Sequence, residues 1–189
     1  MAPRRSPLRL VSSRDAPPPA TAERDRFRAR VLPHLDAAYS YARYLARDPV
    51  AAEDIVQDAF VRALRGFANC RGSEKAWLLT IVRNCFFDWA KANGRPPADA
   101  EIAEEADPED PESALQSRQD CAAVRATIEA LPEPFRETLV LRELEELPYK
   151  EIASLTAAPI GTVMSRLARA RQMLAAMLLA RHGKGEAGA

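Results

Sequence analysis

The residues with the clearest chemistry lie near the end of the chain. Between residues 160 and 181 the sequence has four arginines and no acid, so this stretch can face a polyanion. The four are Arg166, Arg169, Arg171 and Arg181. A guanidinium can fork onto guanine O6 and N7 or onto phosphate, and the hydroxyls of Thr162 and Ser165 can donate to phosphate. These residue types are suited to DNA contact, and the alternative is an ordinary solvated face rich in arginine.

Two short helices joined by a tight turn are needed to present these arginines. Residues 149–155 form an amphipathic pattern, residues 156–158 interrupt it, and Pro159 suits the first position of a second helix. This helix-turn-helix geometry lays its second helix in the major groove. The predicted core positions of that helix are Ile160, Val163, Leu167 and Leu174. The residues left largely outside are Thr162, Ser165, Arg166, Arg169 and Arg171. In the turn, a positive φ at Ala157 would cost about 1 kcal/mol of strain.

The sequence shows no pattern of catalytic or metal-binding residues. The three cysteines stand far apart without a CxxC pair, and the two histidines are His34 and His182, so we expect no metal site. No nucleophile with a base, no defined pair of carboxylates and no phosphate-binding glycine loop is recognisable. We therefore expect a protein that is not an enzyme and has no cofactor and no small-molecule substrate.

The composition favours a helical protein with ordinary packed cores. Apolar residues make up 47% and charged residues 29% of the chain. Glycine is scarce, at 7 residues, while Ala, Leu, Arg and Glu recur, so we predict an all-α fold. No apolar run approaches the roughly 20 residues of a membrane span. With the odd number of cysteines, this favours a reduced, cytoplasmic protein without membrane insertion.

Charge and proline content divide the chain into five segments. Residues 1–23 are basic and rich in proline, and we predict that they are disordered, as is the tail at 183–189. Two small helical domains are predicted at 24–96 and 114–182. Residues 97–113 between them form an acidic linker, which like-charge repulsion should keep extended.

Start and stop signals define the predicted helices. In the first domain they run over 24–47, 49–65 and 73–91, with Asp48 and Ser73 as N-caps and Asn93-Gly94 as the final stop. Their predicted core positions are Phe27, Val31, Leu35, Ala38, Ala42 and Leu45, then Val56, Ala59, Phe60, Ala63 and Leu64, then Leu78, Ile81, Val82, Cys85 and Trp89. In the second domain the predicted helices run over 115–131, 134–144, 149–156 and 159–180.

Three stretches, in this order, resemble the extracytoplasmic-function sigma factors, the two-domain members of the bacterial sigma factors that lend promoter recognition to RNA polymerase. Residues 52–62 resemble the family's polymerase-binding helix. Trp77-Leu78, residues 81–84 and Asp88 resemble its promoter-melting helix. Residues 131–136, 149–153 and 159–171 resemble its promoter-upstream domain. The resemblance covers about residues 27–180 and implies a domain 2-like helical unit followed by a domain 4-like helix-turn-helix unit.

The resemblance implies a polymerase contact on the second helix of the first domain. A coiled coil of the polymerase's largest subunit would bind its polar face, which comprises Asp54, Gln57, Asp58, Val61 and Arg62. Taken without the resemblance, the same residues form an ordinary solvent face.

The resemblance also implies capture of a flipped base of the minus-ten element. Removing a base from the stack costs roughly a few kcal/mol, so a pocket and nearby cations must compensate. The residues implied are Phe67, Asn69, Arg71, Ser73, Lys75, Trp77, Arg83, Asn84, Asp88 and Lys91. For Trp77, a position in the core is the alternative.

At the minus-thirty-five element the resemblance implies contacts from Thr162, Met164, Ser165, Arg166, Arg169 and Arg171. Thr80 and Ala90 occupy positions where the family often has basic residues, which leaves the melting helix less cationic than is usual. Met164 occupies another such position on the upstream helix and affects the expected upstream sequence preference. The implied partners are core RNA polymerase, double-stranded upstream DNA, single-stranded minus-ten DNA and an anti-sigma factor.

Other interpretations explain part of the sequence. A helix-turn-helix regulator that binds an operator without joining the polymerase leaves the first domain unexplained. A helical adaptor that binds only proteins gives the arginines no purpose. The linker acids, among them Asp107, Glu109 and Asp110, would either mimic nucleic acid or merely solubilise a spacer. Cys70, in the base-capture loop, is either inert or an oxidant sensor.

Overall fold

The structure is a computed structural model that describes residues 20–94 and 114–185. Within these two ranges it is helical without any strand, which confirms the all-α prediction. The N-terminal module comprises α1 (Ala20–Arg30), α2 (Leu35–Ala46), α3 (Pro49–Gly66) and α4 (Glu74–Ala92). The C-terminal module comprises α5 (Ala114–Glu129), α6 (Glu133–Leu139), α7 (Tyr149–Thr156) and α8 (Ile160–Gly185). The predicted linker and most of the two predicted disordered ends lie outside the described residues, although α1 begins at Ala20 and α8 reaches Gly185.

The prediction of a single helix over 24–47 is wrong, because the helix is interrupted at Pro33. Residues Leu32–His34 form a 3-10 turn between α1 and α2. Proline has no N–H to donate and its ring collides with the carbonyl four residues earlier, so the α-helix cannot continue through it. Leu35 therefore begins a new helix and is 42% exposed instead of buried.

Two predicted caps are confirmed by their hydrogen bonds. The Asp48 carboxylate accepts from the backbone N–H of Val50 at 2.7 Å and of Ala51 at 3.0 Å, with Pro49 at the first helical position. The Ser73 hydroxyl accepts from the N–H of Ala76 at 3.2 Å. These caps fix the starts of α3 and α4, and the Ser73 cap also fixes the end of the loop between the two helices.

The core of the N-terminal module forms where α2, α3 and α4 pack together. Its fully buried side chains include Tyr41, Ile55, Leu78, Leu79 and Val82. Leu64, predicted as a core residue, is 44% exposed. On α3 the buried stripe follows Val56, Ala59 and Ala63, and Leu64 lies about 100° around the helix from Ala63.

The C-terminal module is held by a buried arginine at the junction of α5 and α6. Arg136 is 2% exposed and donates from Nη1 to the carbonyl oxygens of Glu129 at 3.1 Å and Leu131 at 2.7 Å. Burial lowers the pKa of Arg136 to about 10. These bonds satisfy carbonyls at the end of α5 that have no helical partner.

One turn after α6 is wider than an α-helix. Residues Val140–Leu144 form a π-helical turn, in which the N–H of Glu145 donates to the carbonyl of Val140 at 3.0 Å. The predicted helix over 134–144 therefore exists but changes its geometry at its end.

The helix-turn-helix is formed by α7 and α8. The bounds of α7 coincide with the prediction, and Val163 and Leu167 are buried as predicted. Ile160, also predicted as core, is 47% exposed because it is the first residue of α8. In the turn, Ala157 has φ 52°, a left-handed conformation, and the N–H of Ala158 donates to the carbonyl of Ala153 at 3.0 Å.

The strained turn predicts that Ala157→Gly stabilises the protein. Glycine adopts a positive φ without the Cβ clash, so the free energy of unfolding should rise by about 0.5 to 1 kcal/mol in urea denaturation. Ala168→Gly is the control, since Ala168 is exposed within α8, where glycine should lower stability by about 1 kcal/mol. Equal destabilisation by both substitutions would contradict the proposed strain.

Candidate polymerase and DNA interfaces

The polar face of α3 is exposed over its whole length. Asp54, Gln57, Asp58, Val61 and Arg62 are all exposed, on one side of the helix. The Arg62 guanidinium lies 2.7 Å from Asp88 on α4 and 2.8 Å from Asp58. Hydrogen bonds to Asp88 and Asp58 raise the pKa of Arg62. The structure thus joins a residue implied in polymerase binding to one implied in promoter melting.

The α3 face also has an apolar part, of which the sequence had indicated only Val61. Val50, Val61 and Leu64 are 67%, 46% and 44% exposed. Together with Asp54 and Gln57 they follow the three- and four-residue steps of one helical face. That spacing was visible in the sequence, where Leu64 was instead grouped with the core.

A cavity of about 560 Å³ lies beside the loop between α3 and α4. Its lining comprises Glu23, Arg26, Arg30, Phe67, Ala68, Cys70, Arg71, Gly72 and Glu74. The Arg71 guanidinium donates to the carbonyl oxygens of Ala68 at 2.9 Å and Cys70 at 3.0 Å, which holds it over the loop. Of the loop residues implied in base capture, Asn69 is exposed but does not line the cavity.

Two arginines of α1 at this cavity were not singled out in the sequence. Arg26 and Arg30 are exposed, and Arg30 is paired with Glu74. Their spacing of four residues on a helix is the signal that could have identified them.

Phe67 has a packing role in this loop. It is 8% exposed, and its ring meets those of Phe27 at 5.5 Å and Trp77 at 6.4 Å between centroids, both edge-on. Trp77 is half-buried against the same core, and Ser73 serves as the cap of α4. Phe67 is therefore largely covered by neighbouring rings although it lines the cavity, and stacking of its ring on a base stays a prediction.

The implied melting residues on α4 divide into two groups. Asn84, Asp88 and Lys91 are exposed. Lys75 and Arg83 are half-buried beneath the C-terminal module. Lys75 Nζ lies 2.9 Å from the Glu145 carboxylate and donates to the Glu145 carbonyl oxygen at 2.7 Å.

Arg83 takes part in a buried network around Glu137. Its Nε donates to Glu137 Oε1 at 2.6 Å, and the same oxygen accepts from the Tyr41 hydroxyl at 2.7 Å. Burial, together with the charge of Glu137, raises the pKa of Tyr41 well above its ordinary value. The Arg83 guanidinium also stacks over the Phe87 ring, 4.4 Å from its centroid.

Neither described cysteine is placed as a metal ligand. Cys85 is buried, and this burial raises the pKa of its thiol to about 12, so it stays protonated and unreactive. Cys70 is partly exposed at the cavity, and oxidant sensing by it stays a hypothesis. Within the residues that the structure describes, no group of three or more His, Cys, Asp or Glu side chains could hold a metal ion.

The exposed face of α8 presents the predicted upstream contacts unequally. Met164, Ser165 and Arg169 are exposed, whereas Thr162 and Arg166 are half-buried. The Ser165 hydroxyl donates to the Thr162 carbonyl at 3.0 Å. Arg171 is exposed but its Nη2 lies 2.5 Å from Glu143, so the C-terminal module already provides it with a counter-charge.

The helix-turn-helix of α7 and α8, with exposed arginine on its second helix, is the architecture of a DNA-binding protein. Comparison with known protein families supports this assignment. Residues 31–95 match the family described as Sigma-70 region 2, and residues 121–174 match Sigma-70, region 4. The chain belongs to the RNA polymerase sigma factor family, in its extracytoplasmic-function (ECF) branch.

Individual relatives show the same correspondence. The RNA polymerase sigma-H factor of Pseudomonas aeruginosa is 39% identical over 140 residues, covering 67% of this chain and 72% of the relative. The ECF RNA polymerase sigma-E factor of Haemophilus influenzae is 36% identical over 145 residues, covering 70% of this chain and 76% of the relative.

Two solved structures have a similar fold. The sigma factor RpoE of Bartonella quintana, in complex with the anti-sigma factor NepR, has a TM-score of 0.66 at 27% identity, covering 82% of this chain and 97% of that one. CnrH, in complex with the cytosolic domain of CnrY, has a TM-score of 0.63 at 25% identity, covering 85% of this chain and 92% of that one.

These findings confirm the resemblance to ECF sigma factors. An operator-binding regulator outside the polymerase does not account for the region 2 match, which covers the N-terminal module. Sigma factors are transcription-initiation factors without enzymatic activity. None of the helices within 20–94 and 114–185 is long and apolar enough to cross a membrane.

Glu133 makes the stability of the folded state sensitive to pH. Burial, together with the nearby Glu137 carboxylate, raises the pKa of Glu133 to about 7. Its pKa in the unfolded chain is lower, so the folded state loses stability as the pH rises from about 4.5 to about 7.

The Glu133 environment predicts that Glu133→Gln becomes stabilising as the pH rises. The free energy of unfolding of the variant relative to the parent should increase from pH 4.5 and level off above pH 7. Because Glu133 is partly solvated, the gain should reach about 1 to 2 kcal/mol. Urea titrations of both proteins across this range measure it. A difference that stays constant with pH would contradict the raised pKa.

Proposed function

We propose that the chain directs promoter-specific initiation through three surfaces, one for core polymerase and two for promoter DNA. The observation that carries this proposal is the placement of these surfaces on separate elements, namely α3, the loop with α4, and α8. Their order follows the two matched sigma-70 regions. The chain would act in the cytoplasm without catalytic chemistry, cofactor or small-molecule substrate.

The α3 face is the polymerase-binding surface. It combines exposed acids and amides, Asp54, Gln57 and Asp58, with the exposed apolar side chains of Val61 and Leu64. A mixed surface of this kind suits a protein partner better than DNA, because its acids would repel phosphate. Arg62, paired with Asp58 and Asp88, would orient this face relative to α4.

The loop cavity and α4 form the minus-ten surface. The cavity has room for an unstacked base, and Arg26, Arg30 and Arg71 stand at it to contact the backbone phosphates. On α4, Asn84 and Lys91 are exposed for base edges and phosphates. Lys75 and Arg83 would join them once the C-terminal module moves away.

The α8 face is the minus-thirty-five surface. Arg169 and Ser165 are exposed, and Arg166 lies beside them on the same helix. The exposed Met164 offers apolar contact, for which the thymine methyl group is a suitable partner. Arg171, held by Glu143, is better suited to phosphate than to a base.

An anti-sigma protein is the proposed regulatory partner. One structure of similar fold contains a sigma factor in complex with an anti-sigma factor, and another contains CnrH in complex with the cytosolic domain of CnrY. The exposed apolar residues of α3 offer such a partner a binding surface.

The polymerase surface predicts the effect of Asp54→Ala. Loss of a charged contact should weaken binding to core polymerase roughly 10- to 100-fold and reduce run-off transcription on every promoter alike. Binding can be measured by fluorescence anisotropy with labelled protein. Asp25→Ala is the matched control, since Asp25 is an exposed acid on α1. Unchanged polymerase affinity would remove Asp54 from the interface.

The upstream surface predicts the effect of Arg169→Ala. Loss of a base contact should cost about 1 to 3 kcal/mol of promoter binding, with core polymerase affinity unchanged. Run-off transcription on promoters with intact and scrambled upstream elements measures this loss. Arg28→Ala removes an exposed arginine from α1 and should have no such effect. An equal loss on intact and scrambled promoters would argue against base contact by Arg169.

A further inference from the structure

Among the residues that the structure describes, three ion pairs that join the two modules take their cation from the N-terminal module. Arg43 on α2 lies 3.5 Å from Glu129, Lys75 on α4 lies 2.9 Å from Glu145, and Arg83 on α4 lies 2.6 Å from Glu137. The C-terminal module supplies every acid of this set. One face of it is therefore complementary in charge to a cationic face of the N-terminal module.

The two acids that meet α4 are deeply buried. Glu137 is 4% exposed and Glu145 is 5% exposed. Each has donors from the N-terminal module, namely Arg83 and the Tyr41 hydroxyl for Glu137, and Lys75 for Glu145. A buried carboxylate needs such donors, because its charge has lost its hydration. The fit is thus more specific than a chance meeting of surface charges.

Two of these ion pairs engage cations that the proposed function assigns to DNA binding. The side chains of Lys75 and Arg83 are 26% and 20% exposed, and their charged groups point to Glu145 and Glu137. A carboxylate oxygen accepts the same hydrogen bonds from lysine and arginine as a phosphate oxygen does. A DNA strand cannot reach these two groups while the acids hold them.

We propose that this closed arrangement is autoinhibited, with Glu137 and Glu145 acting as an intramolecular substitute for the phosphates of the minus-ten strand. The inference rests on the proposed function, since it assumes that α4 binds the promoter strand. Opening separates the modules, hydrates the two acids and frees Lys75 and Arg83. Core polymerase and promoter DNA would favour the open state, because they bind it better than the closed one.

The closed state reduces the apparent affinity for single-stranded DNA. If the open state is a fraction f of the molecules, the apparent Kd is the intrinsic Kd divided by f. Substitutions that open the chain should therefore lower the apparent Kd, although they alter no residue that contacts DNA.

The test compares the full chain with the double variant Glu137→Gln/Glu145→Gln. Small-angle X-ray scattering measures the radius of gyration, and fluorescence anisotropy measures binding to a labelled single-stranded DNA oligonucleotide of mixed sequence at fixed salt. We expect a larger radius of gyration for the variant and an apparent Kd lowered at least about threefold.

A matched control separates opening from the change in net charge. Glu143→Gln/Glu146→Gln also removes two acids from the C-terminal module, but both are exposed, and the ion pair of Glu143 is with Arg171 in the same module. Its radius of gyration should equal that of the parent. Any gain in DNA affinity that it shows is subtracted from that of the test variant.

Tyr41→Phe provides a second route if the double variant does not fold. It removes the hydroxyl that donates to Glu137 and leaves every charge in place. Circular dichroism checks that it folds. We expect smaller changes of the same sign in both the radius of gyration and the apparent Kd.

Several results would overturn the proposal. A parent chain already as extended as the variant, or a variant as compact as the parent, would show that these acids do not hold the modules together. A variant that opens without gaining DNA affinity beyond the control would show that closure masks nothing. Run-off transcription with core polymerase and the parent chain tests the sigma function separately, so a failure there is distinguishable from a failure of closure.

Discussion

The buried carboxylate of Glu137 is the contact on which the arrangement of the two modules depends. Because it is almost fully removed from water, its charge has to be matched, and both of its donors, Tyr41 and Arg83, belong to the other module. Glu133 lies nearby, and its burial together with the charge of Glu137 raises the pKa of Glu133 to about 7. The helices that bear these groups, α2, α4 and α6, are thereby fixed against one another.

This contact also determines which surfaces are available. The polar and apolar face of α3 and the outer face of α8 stay exposed, whereas part of α4 is covered. A neutral total charge conceals this arrangement, because each module carries both signs and cations of the N-terminal module are paired with acids of the C-terminal module across the boundary. Net charge alone would have predicted little affinity for DNA.

The sequence predicted those parts of the fold that depend on local chemistry. Asp48-Pro49 and Ser73 cap their helices because caps require only the next few N–H groups. The prediction went wrong at Pro33, where apolar spacing was given more weight than the missing N–H. It also went wrong at Leu64 and Ile160, where an apolar side chain was assumed to be buried.

The candidate site was predictable as far as helical faces determine exposure. The exposed row on α3 and the exposed Arg169 follow from spacing. In contrast, the partners of Lys75 and Arg83 lie 70 and 54 residues away in sequence, and Tyr41 meets Glu137 across 96 residues. Such pairs arise from tertiary packing, and no local pattern indicates them. The burial of Phe67 could not be predicted from local sequence for the same reason, because the Phe27 ring that packs against it belongs to α1.

The π-helical turn at Val140–Leu144 has a consequence for how the chain can vary in evolution. A π-helical turn contains one residue more than the corresponding α-helical turn. Insertion of a single residue into an α-helix would produce such a turn. Loss of that residue would restore α-helical geometry and rotate everything after it by about 100°. Glu145 would then turn away from Lys75, and the following helices would change direction. Related chains should therefore tolerate substitutions in this segment far better than changes in its length.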